Sequence, residues 1–60
     1  MQRQTRKRVE VFNLAKPEHK AEYEDLLNDP NVSHFIKEEF TYSKRTEHPV
    51  ITVWYEEFMR

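Results

Sequence analysis

Sixty residues with a formal net charge of −1 allow one domain at most, and no cysteine is present to staple it. Glycine is also absent, which excludes the glycine-rich loops that cradle phosphates and leaves the turns to Asn, Asp, Pro and Ser. Charged residues make up 35% of the chain, but aromatics make up 13%, so a folded domain is expected and not a disordered chain.

A domain this small buries only ~60% of its unfolded surface and is marginal alone. Small scaffolds often recruit a disulfide, a metal or a second subunit. With disulfides excluded, a homodimer is the expected solution. No apolar run approaches the ~18 residues of a membrane span, and no apolar stretch follows the N-terminal basic residues. The expectation is a soluble chain in the cytoplasm, with no membrane association, and the lack of cysteine fits a reducing compartment.

Charge is unevenly spread. Arg3, Arg6, Lys7 and Arg8 give the first eight residues +4, whereas the rest holds six basic and eleven acidic residues. Residues 1–7 read as a flexible basic arm and 8–60 as the folded domain.

The first strand is expected near Arg8–Asn13, with Val9 and Val11 on one face and Phe12 and Leu14 toward the other. Pro17 suits the first turn of a helix running to about Asn28. Its apolar stripe is His19, Tyr23, Leu26 and Leu27. Glu18, Glu22, Asp25 and Asp29 recur on the opposite side as an acidic ridge, with Glu24 nearby. Asn28-Asp29-Pro30-Asn31 stops the helix.

A second strand follows over about Phe35–Lys44. Ile36, Phe40 and Tyr42 are expected on one face, interrupted by Glu38. Lys37, Glu39, Thr41 and Ser43 make the other face polar. The turn Arg45-Thr46-Glu47-His48-Pro49 leads into Val50-Ile51-Thr52-Val53-Trp54-Tyr55, the densest β-branched and aromatic run in the chain. Ile51, Val53 and Tyr55 point one way, and Thr52 and Trp54 the other. A strand apolar on both faces belongs in the middle of its sheet.

The fold class is therefore α+β, with element order β-α-β-β. Strand order 1-3-2 makes every neighbouring pair antiparallel and the third strand central. Direct pairing of the first two strands would instead be parallel, and would centre the second strand. The helix covers one sheet face. The face carrying Trp54 is left without cover from the chain, and an aromatic sheet face in that position points to a partner.

The chemistry-bearing residues form no recognisable constellation. His19, His34 and His48 lack metal-ligand spacing, so no metal or cofactor is expected. Ser33 and His34 are adjacent, and adjacent strand residues point to opposite faces. Glu38-Glu39 and Glu56-Glu57 supply carboxylates, but so small a domain can hardly form a substrate cleft around them. Asn31-Val32-Ser33 matches a glycosylation sequon by chance.

The sequence points to a non-enzymatic protein-interaction module, such as a bacterial or phage accessory or inhibitor protein. Its expected partner-binding residues are Tyr42 and Trp54 as apolar anchors, and Glu18, Glu22, Asp25 and Asp29 as an acidic contact for a basic partner. The alternative is a nucleic-acid binder that uses Arg3, Arg6, Lys7 and Arg8, joined by Lys44 and Arg45 at the hairpin turn as one patch.

Overall fold

The structure, a computed structural model, describes residues 4–45 and 47–59. The elements are β1 (Thr5–Asn13), α1 (Pro17–Leu27), β2 (Val32–Ser43) and β3 (His48–Phe58). The sheet order is β1-β3-β2 and both pairings are antiparallel. The α+β fold, its strand order and its central strand are those expected from the sequence. Long strands make the domain elongated, 48 × 18 × 13 Å.

The strands extend beyond their expected bounds. β1 begins at Thr5, so Thr5, Arg6 and Lys7, placed in the arm above, pair in register with Phe58, Glu57 and Glu56. Cross-strand charge attraction opposite Glu57 explains why a basic segment enters the sheet. Arg6 Nε donates to Glu57 Oε1 at 2.7 Å. Arg3 lies outside the described residues.

Without glycine, the connections on either side of α1 rest on Asn and Asp side chains. Asn13 Oδ1 accepts from the Ala15 N–H at 3.0 Å and turns the chain toward α1. Pro17 sits in the first helical turn and Glu18 lies near the positive end of the helix dipole. At the other end, Asn28 Nδ2 donates to the Glu24 carbonyl at 2.9 Å, satisfying one orphan acceptor of the last turn. Asp29 follows the helix instead of belonging to it. Its carboxylate accepts from the Asn31 N–H at 2.8 Å and shapes the turn into β2. The β2–β3 hairpin closes with Glu47 at φ 57°, a left-handed position that glycine would take at lower cost.

The core is small: Phe12, Leu26, Ile51, Val53 and Tyr55, with Leu14, Tyr23 and Val32 packed against it. Val53 has no exposed surface. The Phe12 and Tyr23 rings meet at 5.6 Å in a tilted pair. Of the helix stripe, Leu26 is buried, His19 and Tyr23 are half-buried and Leu27 is exposed. The helix packs on the β1 side of the sheet. The far half of β2 therefore projects past it, and Phe40 and Tyr42 remain 61% and 57% exposed.

Two irregularities in β2 change its facing. Register shifts fall between Val32 and His34 and between Phe35 and Lys37. Each inserts a residue that simple alternation does not count. Phe35 thus joins the helix-side face, its ring 6.3 Å from that of Tyr55. Ile36, expected with Phe40 and Tyr42, instead lines a hollow with Lys37 and Trp54 on the other face.

Candidate interaction surfaces

Directly paired residues of an antiparallel sheet share a face, so the register builds the open face row by row. Val9 pairs with Trp54 and Trp54 with Lys37. Val11 pairs with Thr52 and Thr52 with Glu39. Lys7, Glu56 and His34 form the next row, beside the Trp54 row on the side away from the hairpin. The apolar stripe lies on the β1–β3 side. Val9 and Val11 are 52% and 58% exposed, and Trp54 is half-buried. Trp54 forms one wall of a shallow hollow of about 310 Å³ with Lys7, Ile36 and Lys37. Lys37 Nζ stands 4.9 Å from the Trp54 ring centroid, a cation–π contact, and lies 3.5 Å from Glu39 Oε2. Among the described residues, no element packs over this face.

Tyr42 does not share that surface. It pairs with Pro49, two residues from Ile51 on the helix-side face, so it lies on the side opposite Trp54. The two expected anchors are therefore separate, because even spacing from Tyr42 through the hairpin places it with the odd-numbered residues of β3. Val9, Val11 and Ile36 are the apolar neighbours that Trp54 has in its place. The alternation of β1 already paired Val9 with Val11. Nothing in β2 announced the bulge that adds Ile36.

The basic residues separate in the same way. Arg6 and Arg8 both reach Glu57, at 2.7 and 3.3 Å, and Arg8 also reaches Glu10 at 3.2 Å. Glu57 first, and then the hydrogen bond to Glu10, hold the Arg8 pKa above its usual value. Lys44 and Arg45 stand at the hairpin, beyond His48, whereas Lys7 pairs with Glu56. Eight residues of extended strand separate these ends, roughly 26 Å at the usual rise. Lys44 and Arg45 therefore do not join Arg6, Lys7 and Arg8 in one patch, because the start of β1 and the hairpin lie at opposite ends of β3.

On the acidic side, Glu18, Glu22 and Asp25 are exposed on α1 and Asp29 on the following turn. Glu22, Asp25 and Asp29 border a second hollow, which Glu10 of β1 also lines. Glu18 is not in its wall. Sequence reasoning missed Glu10. Its signal was a carboxylate alternating with Phe12, and therefore on the core side of the strand. Glu38 is the comparable case on β2. It accepts a hydrogen bond from the Tyr23 hydroxyl at 3.4 Å, and burial followed by the Glu38 charge raises the Tyr23 pKa.

The histidines serve local structure. His19 Nδ1 accepts from the Asn13 N–H at 3.1 Å, and His48 Nδ1 lies 3.1 Å from Asn13 Nδ2. His34 Nε2 lies 3.1 Å from Glu56 Oε2, and the bulge brings its Nδ1 to 3.5 Å from Ser33 Oγ. Ser33 and His34 thus approach each other, contrary to the expectation from alternation. The contact is too long to activate a nucleophile, and both side chains are exposed. Among the described residues, no group of three or more His, Asp or Glu is placed to hold a metal ion. No described helix is long and apolar enough to cross a membrane.

No protein-family model matches the chain, and no curated protein or solved structure matches it either.

Proposed function

We propose that this chain is a non-enzymatic protein-interaction module that dimerises through its open sheet face. The observation that carries the reading is the apolar stripe of the open face: Val9, Val11 and Ile36 are exposed beside the half-buried Trp54, and among the described residues no element covers them. The rim also suits a two-fold arrangement. Lys37 and Glu39 are two residues apart on β2, so an axis between them sets each against its opposite in the second copy.

In this reading the acidic side of α1 is a second contact surface, free while the sheet faces are joined. A small accessory or inhibitor protein of bacterial or phage type, working in the cytoplasm, fits this pattern. Sedimentation equilibrium tests it. The wild type is expected as a dimer at micromolar concentration, and Trp54→Ala as a monomer. Val11→Lys serves as a second variant, because a position 58% exposed tolerates lysine in the monomer. A monomeric wild type at millimolar concentration would refute the reading. So would variants that dimerise as tightly as the wild type.

A further inference from the structure

The hollow at the end of α1 has a chemical signature of its own. It measures about 570 Å³ and lies between β1, the last turns of α1 and the turn into β2. Phe12, Leu26 and Tyr55 give it an apolar floor, and Glu10, Glu22, Asp25 and Asp29 surround them. Glu10 is partly neutralised by Arg8 at 3.2 Å, and Asp29 accepts from the Asn31 N–H. Glu22 and Asp25 have no cationic partner among the described residues. The last turn of α1 carries no basic side chain, so the negative end of the helix dipole adds to the same potential.

Acidic residues on a helix rim specify no ligand by themselves. The further observation is Tyr55. Its side chain is 4% exposed, yet it lines the hollow, and its hydroxyl has no hydrogen-bond partner among the described residues. Burial leads in raising its pKa, Glu10 follows, and Arg8 opposes them ahead of the smaller contributions of Glu57 and Asp29. The hydroxyl is not sealed from solvent, and Tyr55 lines this hollow and neither the one beside Trp54 nor the one beside Arg6, so the little of it that is exposed opens here. A phenol oxygen in that position has an acceptor lone pair to offer a donor that enters the hollow.

We infer that this hollow receives an arginine side chain from a basic protein segment, with the guanidinium between Glu22 and Asp25, the aliphatic stem on Phe12 and Leu26, and one N–H directed to the Tyr55 hydroxyl. Arginine fits better than lysine because its planar fork presents several donors at fixed angles to separate acceptors. Its stem buries along apolar surface while the charged end stays polar. The inference deepens the interaction-module reading by giving the chemistry of its second partner, and it uses a different face from the dimer contact.

The test is a titration of the isotope-labelled full chain with a hexa-arginine peptide, followed by amide nitrogen–proton correlation spectra. Shifts are expected to centre on Glu22, Asp25, Asp29 and Tyr55 and to saturate below millimolar peptide. Glu22→Gln combined with Asp25→Asn is expected to weaken binding about tenfold or more. Tyr55→Phe, which removes no charge, is expected to weaken it about threefold. Glu47→Gln, at the β2–β3 hairpin far from the hollow, is expected to bind like the wild type. Spectral dispersion reports whether each variant folds. Shifts spread evenly over all acidic residues would overturn the proposal, as would failure to saturate. Unchanged affinity in Tyr55→Phe would reduce the site to diffuse charge attraction and would overturn it too. A chain that dimerises but gives no localised shifts loses the hollow alone. A monomer that binds the peptide at the hollow loses the open-face dimer and keeps the hollow.

Discussion

The helix-side face and the open face of the sheet draw on alternate residues of the same strand. Ile51, Val53 and Tyr55 of β3 are buried, while Val50, Thr52 and Trp54 are half-buried. On β1, Phe12 is in the core and its neighbour Val11 is 58% exposed. These sets differ little in apolar character. They differ in what lies over them, because a chain of this length supplies one helix and one helix covers one face. The contrast is one of cover: apolar side chains stand on both faces of the central strand, and the described elements bury one of them.

The largest effect expected is on the covered face. Ile51→Ala removes three methyl or methylene carbons from a core of five buried residues, and such truncations cost about 2–5 kcal/mol. A small domain has little more than this to lose. Urea denaturation followed by circular dichroism should show a transition shifted far toward zero urea, or none. On the open face the response is of another kind. Val11→Lys should change monomer stability by under about 0.5 kcal/mol, as an exposed substitution does, while association is lost. If Val11→Lys destabilises a dilute, monomeric sample as severely as Ile51→Ala, the open face is itself a core and the contrast fails.

Much of this arrangement was legible in the sequence, because it follows from composition and alternation. Val50 to Tyr55 marked the central strand, Pro17 and Asn28 marked the ends of the helix, and the single helix implied one uncovered face. The errors arise where a local irregularity resets the count. Two bulges in β2 move Ile36 to the Trp54 face and bring Ser33 toward His34. Neither bulge carries a glycine or proline to mark it. The segment around Arg6 read as a mobile arm because it lacks apolar residues, yet Glu57 across the sheet supplies its partner. Pairing at a separation of 51 residues cannot be read from local pattern. The hollow at the end of α1 was half visible. Its helix carboxylates were identified, but Glu10 and Tyr55 join them only through the sheet register.

The smallest expected effect sharpens the contrast by using pH, and it acts on the covered face alone. Burial, reinforced by Glu10, raises the Tyr55 pKa above 10.0, and burial with Glu38 does the same for Tyr23. In the unfolded chain both phenols ionise near the ordinary value. Between that value and the raised one, the folded state holds protons that the unfolded state has released. The unfolded state then binds fewer protons, so stability falls as pH rises. This contribution is fully present below pH 10 and is lost as pH rises through the folded-state values. Denaturant midpoints measured from pH 8 to 11.5 should decline more steeply above pH 10 for the wild type than for the double variant Tyr23→Phe, Tyr55→Phe. Equal slopes in the two proteins would mean that the helix does not shield its face from water as the structure describes, and the distinction between the two faces would have to be drawn elsewhere.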